Sequence, residues 1–102
     1  IGVDSDQYLT ASAAEKKNML TSMTKRVDNA VFDVIANAVA GRTVNDILDA
    51  GAGIYGRRYD LAAGGVGVSY SGGYINKYKA QIDAASKAII SGKIKVPAVP
   101  SK

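Results

Sequence analysis

Carboxylates at Asp4 and Asp6, an amide at Gln7 and an ammonium at Lys25 are the residues of this chain best suited to grip a small polar molecule. Asp4 and Asp6, two apart, have the makings of an acid/base pair or of a hard-cation site. They share a face only if one strand runs through both. Ser5-Asp6-Gln7 reads instead as a turn, where Asp and Ser satisfy nearby backbone amides. Asp4 closes the short apolar run Ile1-Gly-Val3, which places it at the carboxyl end of a predicted strand, where open α/β sheets bind ligands. A carboxylate there can accept two hydrogen bonds from a vicinal diol, the demand that a sugar makes. Lys25 is expected in the first turn of a helix, able to donate to a hydroxyl or to neutralise Asp4. A structural ion pair between strand end and helix start accounts for the same two residues equally well.

The elements that must position these groups follow from the periodicity. Residues 1–4 predict a strand, and Ser5 to Lys17 a loop or weak helical turn. From Thr24, with Ser22 as N-cap, Val27, Ala30, Val31, Val34, Ile35, Ala38 and Val39 recur at helical steps and build one apolar face. Gly41 ends that helix, because glycine takes the left-handed conformation at C′ without penalty. Thr43 to Leu48 predicts a capped single turn ended by Gly51, and Gly51 to Arg58 a glycine-rich connector. Val66, Val68 and Tyr70 alternate as in a half-buried strand after a tight turn at Gly64-Gly65. Tyr74 to Ser91 predicts a second helix, with Ile75, Tyr78, Ile82, Ala85 and Ile89 on its buried side and Gly92 at its end. Lys93-Ile-Lys-Val96 alternates like a short edge strand that Pro97 cuts off. Strand, helix, strand, helix, strand is an α/β order.

Composition excludes several kinds of chemistry. The 102 residues contain neither histidine nor cysteine, so this stretch has no Ser-His-Asp or Cys-His centre, no disulfide and none of the usual zinc sites. The letters of Gly51-Ala-Gly-Ile-Tyr-Gly56 fit a dinucleotide fingerprint. The motif needs a strand before it and a helix at it, and Asn45 to Asp49 ahead of it reads as helical. Gly64-Gly-Val-Gly67 lacks the lysine of a phosphate loop. Thirteen Lys and Arg against nine Asp and Glu leave a net charge of +4, but the basic pairs are scattered among acids, so no nucleic-acid partner is expected. Tyr55, Tyr59, Tyr70, Tyr74 and Tyr78 read as half-buried packing with wet hydroxyls. No apolar run approaches the roughly 20 residues of a membrane span. A compact chain of this length could bury roughly 65% of its unfolded surface. An opening directly on an apolar strand pattern suggests instead a piece of something longer.

Taken together, Gly2-Val-Asp-Ser-Asp-Gln7, Leu20-Thr-Ser-Met-Thr-Lys-Arg-Val-Asp28, Tyr59-Asp-Leu61, Gly64-Gly-Val-Gly67 and Ile90-Ser-Gly-Lys-Ile-Lys-Val-Pro97 resemble the basic membrane lipoprotein family, the PnrA-like purine-nucleoside-binding lipoproteins. The matches run in order and cover essentially the whole chain; Val44 to Arg58 does not align. The resemblance implies the C-terminal portion of a type I periplasmic-binding-protein-like bilobal fold, an extracytoplasmic solute-binding component of an ABC importer. On that basis residues 1–22 supply ligand-facing strand ends and a loop, and residues 23–102 the lobe-packing helices and strands. Asp4 is then the carboxylate on the ribose hydroxyls, Lys25 the basic residue closing over the same side, and Asp6 and Gln7 flank the site. The implied partners are a purine nucleoside, an ABC transporter permease and the upstream part of the same protein. An N-terminal lipid on the full-length protein would anchor it to the cell membrane.

No metal, cofactor or enzymatic activity is expected, because no nucleophile with a positioned base is visible. A ligand-sensing relative with the same fold, or a binder of another sugar-like ligand, is the alternative. Apolar faces on both helices are expected to seek partner surfaces.

Overall fold

The computed structural model describes residues 1–49 and 56–97. Its centre is a mixed three-stranded sheet in the order β1-β2-β3, formed by β1 (Gly2–Asp4), β2 (Ser22–Lys25) and β3 (Val66–Val68). β1 runs parallel to β2, with Gly2 opposite Ser22 and Asp4 opposite Thr24. β3 is antiparallel to β2, pairing Lys25 with Val66 and Met23 with Val68. Parallel neighbours need a crossover. Here it contains the four-residue helix α1 (Ala13–Lys16), started by a capping box in which the Ser12 amide donates to Glu15 at 2.8 Å.

The sheet corrects one boundary. Ser22 to Lys25 is a strand, so Ser22 is no helix cap and Lys25 no first-turn residue: Arg26 is the N-cap and α2 spans Val27–Val39. The helical period is genuine from Val27 onward. Upstream of it, ladder bonds on both edges of β2 outweigh the local helical pattern, and the Arg26 amide donates to Gly65 O at 2.8 Å. Gly41, at φ 76°, follows the C-cap of α2 as expected.

Helix α3 (Val44–Ile47) is the predicted capped turn, with the Asp46 carboxylate accepting from both the amide and the hydroxyl of Thr43, each at 2.7 Å. It ends at Leu48, which is extended; Gly51, the proposed terminator, lies outside the described residues. The second long helix starts later than its pattern suggests. Tyr74 lies in a turn, a 3₁₀ turn covers Asn76–Tyr78, and α4 runs Lys79–Ile90. Tyr70 lies beyond β3, and Lys93 to Val96 is not a strand, because among the described residues no neighbour supplies it with a ladder. The class is α/β.

Helix α2 turns its polar face inward. Asn29, Ala30, Asp33 and Asn37 are the half-buried positions, while Val27, Val31, Phe32, Val34, Ile35 and Val39 are exposed, Phe32 to 74%. The inward face is held by polar bonds: Asn29 Nδ2 donates to Gly64 O at 2.9 Å, and the Tyr59 hydroxyl to Asp33 Oδ2 at 2.9 Å. Arg57 Nε lies 2.8 Å from the same Asp33 oxygen. Part of the predicted connector is thereby pinned to α2. Along the predicted helix 74–91, Ile75, Ile82 and Ile89 are half-buried as expected from their spacing, but Tyr78 and Ala85 are exposed. Among the described residues Ile47 is the only large hydrophobic side chain that is buried, and it still keeps 7% of its surface. The accessible surface, 7706 Å², exceeds the roughly 5,500 Å² of a compact chain of this mass.

Two outcomes follow. A methyl group on Gly65 would collide with the Tyr59 carbonyl and Cβ, so Gly65→Ala is expected to lower stability by about 1–3 kcal/mol, measured as a shifted urea midpoint. The exposed stripe of α2 is expected to make the chain self-associate in sedimentation velocity, and Val31→Asp with Ile35→Asp to shift it toward monomer.

Candidate ligand-binding site

The parallel pairing of β1 and β2 brings their carboxyl ends together. Asp4 closes β1 and Lys25 closes β2, and Lys25 Nζ meets Asp4 Oδ1 at 2.6 Å. Both side chains stay more than half exposed, 68% and 56%, so the pair is weakly held, on the order of 0–1 kcal/mol. The two residues first picked out of the sequence do converge, though Lys25 arrives from a strand rather than from a helix.

Asp4 is backbone-strained. It is the one non-glycine residue with positive φ (76°) among the described residues, and the Ser5 amide donates across it to Val3 O at 3.0 Å. A three-residue bond around a positive φ is the rare form of the γ-turn, costing of order 1–3 kcal/mol. It reverses the chain at the strand end and leaves the Asp4 carboxylate facing solvent beside Lys25.

The reversed chain is locked by β2. The Ser22 side chain is fully buried, and its hydroxyl accepts from the Gln7 amide at 3.2 Å. Gln7 Nε2 donates to Val3 O at 3.0 Å. Gln7 therefore braces the turn that presents Asp4. It also lines an open groove of about 570 Å³ with Ser5, Thr10, Glu15 and Met19, to which neither Asp4 nor Lys25 contributes. A smaller, mostly apolar cleft of about 290 Å³ adjoins Lys25, walled by Val27, Ala30, Tyr59 and Val66.

Asp6 points elsewhere. It accepts a short hydrogen bond from the Ser71 hydroxyl, and its other oxygen, Oδ1, is buried without a formed bond. The Ser69 hydroxyl first, then that of Ser71 and the Tyr8 amide, hold the Asp6 carboxyl below its ordinary value against a partial desolvation cost. Of the two hydroxyls, that of Ser71 is the one within hydrogen-bonding geometry of Asp6. Asp6 ties the loop after β1 to the loop after β3, and the pair Asp4/Asp6 does not act as one unit. Among the described residues no cluster of three or more acidic side chains could hold a metal ion.

Ser22, Ser69 and Ser71 were not legible as site-building residues. The spacing of Ser69 and Ser71 just beyond the Val66/Val68 alternation was the available signal. At the cleft wall, burial first and then the bond to Asp33 raise the Tyr59 hydroxyl above its ordinary value. The helical segment before Gly51 is α3, so no strand leads into the glycine motif, whose residues 51–55 lie outside the described ones, as does Tyr55. Tyr59 and Tyr70 are half-buried; Tyr74 and Tyr78 are exposed. No family model matches the chain, and neither a curated protein nor a solved structure matches it.

Because the Asp6 carboxyl is depressed in the folded chain, its contribution to stability is present above the unfolded value of 3.8 and is lost as pH falls through the lower folded value. Asp6→Asn is expected to be less stable than the parent above about pH 4, with the gap closing on further acidification. Urea midpoints of the two proteins across pH 2 to 7 (about those limits) check this; a gap independent of pH would remove the carboxylate from that role.

Proposed function

We propose that this chain is the C-terminal portion of an extracytoplasmic solute-binding protein that delivers purine nucleosides to an ABC importer. The observation that carries the reading is the meeting of Asp4 and Lys25 at the carboxyl ends of two parallel strands, solvent-facing and within 2.6 Å. Neither charge is committed to a buried structural bond, so both are free to exchange partners. In this reading the Asp4 carboxylate accepts from the two ribose hydroxyls, and Lys25 donates to a ribose oxygen. Gln7 holds the turn in place and Asp6 secures the loop beneath it, so these two act on the ligand through Asp4.

The reading casts the chain as one jaw of a bilobal type I periplasmic-binding-protein-like fold, anchored at the membrane by a lipid on its upstream part. The exposed apolar stripe of α2 supports it, since such a stripe calls for a further layer of polypeptide. The groups that would recognise the base belong to the other jaw. Binding of another sugar-like ligand, or ligand sensing without transport, would use the same diol chemistry.

Titration calorimetry of a longer protein carrying this chain, against guanosine, inosine and the free bases, tests the proposal. Nucleosides are expected to bind and free bases to bind far less. Asp4→Ala is expected to weaken nucleoside binding by about 10- to 100-fold, the worth of a charge-assisted hydrogen bond. The 102-residue chain alone is expected to bind little. Unchanged affinity in Asp4→Ala and Lys25→Ala would overturn the site, as would micromolar binding by the isolated chain.

A further inference from the structure

At the other end of the strands two distant segments form a second polar surface. β3 is antiparallel to β2, so the chain leaves it beside Ser22, where the Ser69 amide donates to Ser22 O at 2.9 Å, away from Asp4 and Lys25. There the loop 69–74 meets the loop 6–11, joined by the bond from Ser71 to Asp6. Gly72 makes the contact close: a Cβ on it would lie 2.6 Å from the Tyr8 ring and 3.2 Å from that of Tyr74. Lys16 Nζ stands 5.3 Å from the centre of the Tyr8 ring, and Lys79 Nζ 4.8 Å from that of Tyr70.

The surface is thus a platform of tyrosines carrying ammonium groups. Segments 5–20 and 69–80 hold Lys16, Lys17, Lys77 and Lys79 against two carboxylates, Asp6 and Glu15. Asp6 is bound to Ser71 and Glu15 to Ser12, and among the described residues none of the four lysines forms a salt bridge, so the two segments keep an excess of positive charge. Leu9, next to Tyr8, is 70% exposed, and Tyr74 is about half exposed. Lysines over ring faces occupy the positions where bases would stack, which disfavours single-stranded nucleic acid. Apolar bodies with polar tips, a bare leucine and an excess of ammonium groups are instead what a headgroup layer accepts.

We infer that the face formed by Tyr8, Tyr70, Tyr74, Lys16 and Lys79 docks on an anionic phospholipid surface. This does not depend on the nucleoside reading, and it involves none of the residues at the Asp4 end.

Co-sedimentation of the 102-residue chain with vesicles tests it, using phosphatidylcholine alone and phosphatidylcholine mixed with phosphatidylserine. Binding is expected only to the mixed vesicles and to fall with added salt. Lys16→Ala with Lys79→Ala is expected to weaken it by roughly 25-fold, about fivefold for each lysine, and Lys16→Arg with Lys79→Arg to restore it. Lys93→Ala with Lys95→Ala, the same change of charge at two lysines that among the described residues stand over no tyrosine ring, is expected to weaken it by less than about fivefold. Equal losses from the two alanine pairs would overturn the assignment. So would loss of binding in Val31→Asp with Ile35→Asp, which would place the lipid on α2. Retention on soluble polyglutamate as strong as on the mixed vesicles would overturn it too, in favour of an acidic protein partner. Matching far-ultraviolet circular dichroism verifies that each variant is folded.

Discussion

The fully buried hydroxyl of Ser22 is the point on which the rest of this structure depends. Its strand is hydrogen-bonded on both edges, its carbonyl accepts from the Ser69 amide, and its hydroxyl accepts from the Gln7 amide. Gly2 lies opposite it, and a methyl group there would collide with the Ser22 hydroxyl. A serine is small enough to let the chain after β1 fold back across the strand, and polar enough to satisfy an amide that would otherwise be left unpaired. With that chain held, the γ-turn at Asp4 has both ends fixed. Its strain is then supported by the sheet rather than relaxed into solvent.

The energetics divide between a polar interior and an apolar exterior. Local packing on α2 relies on Asn29 and Asp33, whose partners are Gly64, Arg57 and Tyr59. Such bonds contribute about 1 kcal/mol each. Burial of a valine, isoleucine or phenylalanine side chain contributes about 1.5–3 kcal/mol, and the α2 stripe leaves that gain unrealised. That gain is open to any further surface that packs on the stripe. This is why the apolar stripe bears on function as well as on folding.

The two ends of the strands have different characters for one physical reason. At the carboxyl ends of β1 and β2 an opposite pair of charges is exposed and weakly committed, as a site that trades its own ion pair for a ligand requires. At the other end the carboxylates Asp6 and Glu15 bond to serines rather than to lysines, and Lys16 and Lys79 stand over tyrosine rings instead.

Much of this was legible in the residues. Val27 to Val39 announces a helix by its period, Gly41 and Gly92 announce its end and that of α4, and Asp4 and Lys25 declare themselves by charge at an element boundary. Periodicity is a local property, so it survives translation into structure wherever neighbours in sequence decide the matter. It misplaced the start of α2 because Ser22 to Lys25 takes its conformation from ladders to β1 and β3, residues far away in the chain. It did not show what holds the polar face of α2, since Asp33 finds Arg57 and Tyr59 only once the chain has folded. The sequence by itself determined which groups carry charge and which stretches favour a helix. Only the tertiary structure decided which charges meet, because pairing of strands and burial of a hydroxyl are agreements between distant residues.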